Sequence, residues 1–204
     1  AGNRGALNIA AFYRRQWAGI TKAPETVTLA MDAPVFSSKL GLGLIITNNK
    51  LGVTKETHFI SSYAYKIDMR EGDLSFGLGA GLLTTNTAWS DLNVLDPGDE
   101  SYLMDSRVYM VPVFSFGVYY SYKRYFVGFS IPKLLDYGFD SDKNKYNLNF
   151  NPGNFYYLFY TGYLFNLSPR VDFFPSTLIT YSHGENLLYD INAHFILSDR
   201  VWFG

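Results

Sequence analysis

Apolar and polar residues alternate with period two along most of this chain, the pattern of strands whose two faces meet different surroundings. Leu7, Ile9, Ala11, Tyr13 and Trp17 share one side of the first run, opposite Asn8, Ala10, Arg14 and Gln16, and Arg15 breaks the apolar side near its end. Leu40, Leu42, Leu44 and Ile46 alternate with Gly41, Gly43 and Thr47, and Leu74, Phe76, Leu78, Ala80 and Leu82 with Ser75, Gly77, Gly79 and Gly81. Near the end, Leu187, Tyr189, Ile191, Ala193, Phe195 and Leu197 face away from Asp190, Asn192 and His194. These runs last roughly 10–13 residues, beyond the ~5–6 of most globular strands and close to the ~9–11 of a tilted membrane strand. Helical spacing is scarce. The pattern predicts eleven strands, near residues 5–17, 25–34, 39–48, 55–68, 73–83, 108–121, 124–131, 154–166, 171–182, 187–197 and 200–204.

Gly, Pro, Asn and Asp separate the runs, and the connections fall into two alternating classes. Short ones lie at Pro34–Ser38, Met69–Gly72, Tyr122–Lys123, Leu167–Arg170 and Ser198–Asp199. Between them come Ala18–Pro24, Asn48–Thr54, Thr84–Arg107, Pro132–Gly153 and His183–Asn186, two of them long. An up-and-down sheet places alternate connections at opposite ends, so one end carries tight turns and the other long loops. Outer-membrane barrels have that asymmetry, whereas a soluble β-sandwich has shorter runs and less regular segregation. The expected fold is therefore all-β, an up-and-down antiparallel transmembrane β-barrel. An eleventh strand barely begun at Gly204 implies one barrel domain over residues 1–204 that lacks an N-terminal segment and its last strands, because an open edge in hydrocarbon leaves backbone groups unpaired.

Composition sharpens this reading. Charged residues make up 17% of the chain against a usual ~25%, while the 17 Tyr and 17 Phe bring aromatics to 18%. Mean hydropathy is nevertheless close to zero. The net charge of −1 excludes the basic footprint of a nucleic-acid binder. With no cysteine there is no disulfide, thiol nucleophile or zinc–thiolate site. The longest strongly apolar stretch, Phe155–Phe165, is about half the ~18 residues of a spanning helix. Trp17, Tyr13, Tyr63, Tyr65, Tyr119, Tyr120, Tyr122, Tyr125, Tyr181 and Trp202 fall mostly near strand ends, as an interfacial aromatic girdle requires; ordinary cross-strand pairing of β-formers is the plainer alternative.

Candidate chemistry is sparse. His58, His183 and His194 have no metal-ligand spacing. Asp140, Asp142 and Asn144 open like a calcium loop, but Lys145 replaces its glycine and Asn151 its closing glutamate. Ser182, His183 and Glu185 are the only local nucleophile–base–acid candidates, and adjacent strand residues point to opposite faces. No cofactor is expected. The glycines at 41, 43, 77, 79 and 81 either bend the strands or leave room on the inner face. Arg14 is expected to face inward into a salt bridge, and Arg15 to snorkel toward lipid headgroups.

Several blocks together resemble a known family. They are Ala1-Gly2-Asn3-Arg4-Gly5-Ala6-Leu7, Tyr13-Arg14-Arg15-Gln16-Trp17-Ala18-Gly19-Ile20, Ala23-Pro24-Glu25-Thr26, Gly41-Leu42-Gly43, Leu74-Ser75-Phe76-Gly77-Leu78 and Val127-Gly128-Phe129-Ser130-Ile131-Pro132-Lys133-Leu134-Leu135. In order and spacing they resemble the PorP/SprF family of type IX secretion system membrane proteins, strongly to about Leu135 and more loosely to Trp202. The resemblance implies a Bacteroidota outer-membrane barrel of about fourteen strands, working in type IX secretion or gliding motility. It implies a non-enzymatic role in the export and anchoring of a secreted adhesin, held by its C-terminal sorting domain. It carries over no catalytic residue. Expected partners are membrane lipids or lipopolysaccharide, the adhesin's C-terminal domain and other secretion components. Trp89, Tyr102, Tyr137 and Tyr146, on the two long loops, are the candidate partner contacts, since aromatics anchor interfaces. A passive diffusion porin is the alternative.

Overall fold

The computed structural model describes residues 6–35, 39–91, 105–140, 145–198 and 201–204. It is all-β: β1 (Asn8–Arg15), β2 (Glu25–Val35), β3 (Leu40–Leu51), β4 (Thr54–Asp68), β5 (Asp73–Thr87), β6 (Tyr109–Tyr122), β7 (Tyr125–Ile131), β8 (Asp136–Asp140), β9 (Lys145–Asn149), β10 (Tyr156–Tyr163), β11 (Phe165–Ser168), β12 (Val171–Ser182), β13 (Leu188–Leu197) and β14 (Val201–Phe203). Twelve of these form one sheet in the order β1-β2-β3-β4-β5-β6-β7-β10-β12-β13-β14, with β11 also paired to β12. All eleven predicted strands are present, and the one expected over 154–166 is divided into β10 and β11.

Two connections differ from expectation. The segment assigned to a loop over 132–153 contains a separate two-stranded sheet, β8 with β9. Asp140 and Lys145, read as loop polar residues, are strand termini within it. The segment 48–54 shrinks to a two-residue turn, because β3 runs on to Leu51 and Gly52 takes the left-handed conformation at φ 61°.

The chain divides into two compact units, residues 1–63, 79–113 and 137–148 in one and 64–78, 114–136 and 149–204 in the other. Within the first, register pairs Asn8 with Asp32 and Asp32 with Gly43, and pairs Ile9 with Met31 and Met31 with Leu44. One face of β1–β3 thus carries Asn8, Arg14, Asp32, Thr28 and Thr47, and the other Ile9, Tyr13, Leu29, Leu42 and Leu44. The hydroxyls of Thr28 and Thr47 meet at 3.2 Å on the polar face. Among the described residues Arg15, not Arg14, forms the cross-strand ion pair, 3.4 Å from Glu25. Its registered partner brings the carboxylate alongside.

In the second unit the same division holds. Phe174 is registered with His194, Ser176 with Asn192 and with Gly162, and Gly162 with Phe126, all on the polar face. Phe173 with Phe195, Ile179 with Tyr189 and with Phe159, and Val127 with Tyr120 occupy the apolar face. Ile191, on that face, is 82% exposed, which suits a surface that meets lipid rather than water. Aromatics gather at both ends of it. At the tight-turn end stand Tyr120, Tyr122 and Tyr125, with Tyr163, Phe165, Phe173, Phe195 and Phe203 linked by ring contacts of 4.5–6.3 Å. At the other end Tyr157 stacks on Tyr181 at 6.2 Å. Trp202 and Tyr119 were expected in this girdle, but register puts them on the polar face. Trp202 lies beside His194, with ring centroids 5.9 Å apart, and Tyr119 stacks on Phe126 at 5.6 Å.

Candidate functional site

The residues named as partner contacts separate into two settings within the first unit. Trp89 opens a 3₁₀ turn, Trp89–Asp91, that follows β5. The base of this loop is pinned from several sides. The Ser90 amide and hydroxyl donate to the Asp105 carboxylate at 3.1 and 2.7 Å, holding its pKa below the usual carboxylate value through the side-chain bond first and the backbone bond second. Ser106 and Thr87 exchange further bonds, the Ala88 amide donates to Val53, and Lys22 donates to the Asp91 carbonyl. Trp89, 37% exposed, is presented on this rigid base. Tyr102 lies outside the described residues.

Tyr137 and Tyr146 sit elsewhere, on β8 and β9, and the structure brings them together. Their rings meet edge-on at 5.8 Å, and Tyr146 meets Tyr109 of β6 edge-on at 5.2 Å. Both tyrosines pack against a buried cluster of Leu83, Val111 and Val113, which are 1%, 2% and 6% exposed, with Ile60 alongside. Leu83 shares the side of β5 that carries Ser75, Gly77, Gly79 and Gly81, so the β8–β9 hairpin covers the polar face rather than extending into solvent. Burial, then the Tyr109 hydroxyl and the Glu56 carboxylate, raise the pKa of the Tyr146 phenol, which keeps it protonated. Across the hairpin Asn147 donates to Asp140 at 3.0 Å.

Gly81 of β5 has a simpler task than making room. A Cβ on Gly81 would lie 1.9 Å from the Phe59 carbonyl oxygen and 2.8 Å from the Ile60 Cα. The close approach of the β4 backbone requires glycine there.

The other candidates do not converge. His58 lies 3.8 Å from Glu56, two positions away on the same face of β4. The Glu185 carboxylate accepts from the Tyr156 hydroxyl at 2.8 Å, while Ser182 is buried at the end of β12. Of the calcium-like triplet, Asp142 and Asn144 lie outside the described residues. Among the described residues, no group of three His, Asp or Glu side chains could hold a metal ion.

Sequence reasoning missed Leu83, Val111, Val113 and Tyr109. A signal existed: Leu83 is a large apolar residue in register with a run of small and polar ones, and such a residue on the polar side of a strand needs a cover.

No helix among the described residues is long and apolar enough to cross a membrane. Long antiparallel strands with one apolar face, edged by aromatics at both ends, define a membrane protein of the β type. The chain belongs to the family of type IX secretion system membrane proteins PorP/SprF, whose family model matches residues 1–204. No curated protein and no solved structure matches it.

Proposed function

We propose that this chain forms the wall of an outer-membrane β-barrel that docks a secreted surface protein, an adhesin held by its C-terminal domain, and helps to export and anchor it. Its role is non-enzymatic. The observation that carries this reading is the β8–β9 hairpin lying over Leu83, Val111 and Val113 on the polar face. In a closed barrel that face lines the lumen. A passive diffusion porin needs an open, polar, water-filled lumen. A wall with an apolar strip capped by a folded-in loop fits a barrel that holds protein segments better than one that passes solutes. Trp89 and Tyr102 are the contacts offered to the partner, while Tyr137 and Tyr146 secure the hairpin.

The test combines two measurements on the full-length protein. Gentle extraction from native membranes should recover a secreted surface protein together with the barrel, and Trp89→Ala should lower its retention. The barrel alone in a planar bilayer should conduct poorly. Large steady conductance, with the barrel recovered unaccompanied, would establish the porin instead.

A further inference from the structure

The tight-turn edge of the second unit concentrates positive charge. Arg70 lies in the β4–β5 turn, Lys123 and Arg124 make up the β6–β7 turn, and Arg170 closes the β11–β12 turn. All four are exposed. The turns are tied into one edge: the Tyr120 hydroxyl donates to the Glu71 carbonyl at 2.5 Å, the Leu164 amide to Arg124 at 2.8 Å, and the Ser198 amide to Arg170 at 2.8 Å. Acids stand nearby as well. Asp68 and Asp73 lie 3.6 and 3.5 Å from Lys66, and Asp172 accepts from Asn166. With Glu71 these make four acids against Lys66 and the four turn cations, so among the described residues the edge keeps a net charge of +1. Among the described residues none of the four cations has an ion-pair partner.

Two details argue that the charge is placed for use. Lys123 sits at φ 50°, where glycine would be the relaxed choice, yet the position holds a long cation. Directly inside the charged turns, on the apolar face, stand Tyr120, Tyr122 and Tyr125, and the Lys123 ammonium lies 4.8 Å from the Tyr122 ring centroid. Tyrosine at the boundary of the hydrocarbon followed by a basic side chain is the order in which a bilayer presents acyl chain, interface and headgroup.

We infer that this edge binds anionic phospholipid headgroups of the leaflet at the tight-turn end, selecting them over zwitterionic ones. The inference rests on the membrane-wall reading above. Charge complementarity decides the occupant: cations at headgroup depth on the lipid-facing side meet phosphate before they meet any soluble partner. A basic residue close to an anionic membrane surface is worth about fivefold in association, falling off with salt.

The test is phospholipid retention by the full-length protein, inserted into phosphatidylcholine vesicles with and without phosphatidylglycerol, extracted gently and weighed intact by mass spectrometry. Wild type should retain phosphatidylglycerol over phosphatidylcholine by at least about fivefold, a preference reduced by salt. Arg70→Gln, Lys123→Gln, Arg124→Gln and Arg170→Gln combined should abolish the preference, whereas Lys50→Gln with Lys55→Gln should preserve it. Equal retention of the two lipids by wild type would overturn the inference. So would an unchanged preference in the fourfold variant, which would put the selectivity elsewhere on the protein. Failure of wild type to insert into either vesicle would overturn the membrane reading and this inference together.

Discussion

Adjacent leucines on β5 give the most direct test of the covered polar face. Leu83 is 1% exposed beneath the hairpin, and Leu82, pointing the other way, is 46% exposed on the apolar face. Buried Leu→Ala substitutions cost about 2–5 kcal/mol, depending on how far the site collapses. Leu83 shares its burial with Val111, Val113 and Ile60, which keep part of the strip covered. The lower end, about 2 kcal/mol, is therefore the appropriate charge against hairpin docking. At 1.4 kcal/mol per tenfold, this is about a 30-fold rise in the open population of the hairpin. Hydrogen exchange of the peptide spanning Lys145–Asn149, in the full-length protein reconstituted in lipid, reads that population. Leu83→Ala should speed exchange there by about that factor, and should raise conductance in a planar bilayer. Leu82→Ala removes the same atoms from a lipid-facing site, so it should leave both readings near wild type even where it lowers overall stability. Equal effects of the two substitutions on β9, or no effect of either, would refute the claim that the hairpin is held by the strip on the polar side.

Two further outcomes follow from local geometry. Gly81→Ala should prevent native pairing of β4 with β5, since the new Cβ would stand 1.9 Å from a backbone oxygen, whereas Gly138→Ala, with nothing within 4 Å, should fold normally; refolding yield by heat-modifiable gel mobility separates them. The Asp105 carboxylate has a folded pKa below its unfolded value, so its stabilisation of the loop base is full above the ordinary aspartate range and is lost as pH falls through the folded value. Protection of the Ser90 amide from hydrogen exchange should therefore decline on acidification, and Asp105→Asn should remove that pH dependence; a pH-independent protection in wild type would contradict the assignment.

Period-two alternation made the strands legible because each wall strand separates two unlike surroundings, and a residue's parity then reports its face. Tyr189 to Leu197 is the clearest case: the predicted apolar residues there are the ones that β12–β13 register places together. Nearness to a strand end does not fix a face, and this is why the girdle was only partly readable: Tyr119 and Trp202 stay in register, but with the parity of the polar side. Tyr120, Tyr122 and Tyr125 hold their expected places, while Trp202 and Tyr119 fall on the polar face. Cross-strand partners also redistributed charge: Arg14 and Arg15 are neighbours in sequence, but it is Arg15 that lies opposite Glu25.

The loops behaved differently. Asp136–Asp140 and Lys145–Asn149 alternate too, but each is only five residues long, and so short an alternation between Pro132 and Gly153 does not stand out from a loop. Their stability comes from contacts distant in sequence, Tyr146 on Tyr109 and both hairpin tyrosines on Leu83, Val111 and Val113. The sequence by itself determined the all-β architecture, the order of the strands and the face each wall residue takes, because those follow from local alternation and turn chemistry. The common end of the tight turns that carry Arg70, Lys123 and Arg170 also follows from the alternating connections, whereas only the tertiary structure decided that the loop after β7 folds back over the polar face, because that depends on which distant segments the sheet brings side by side.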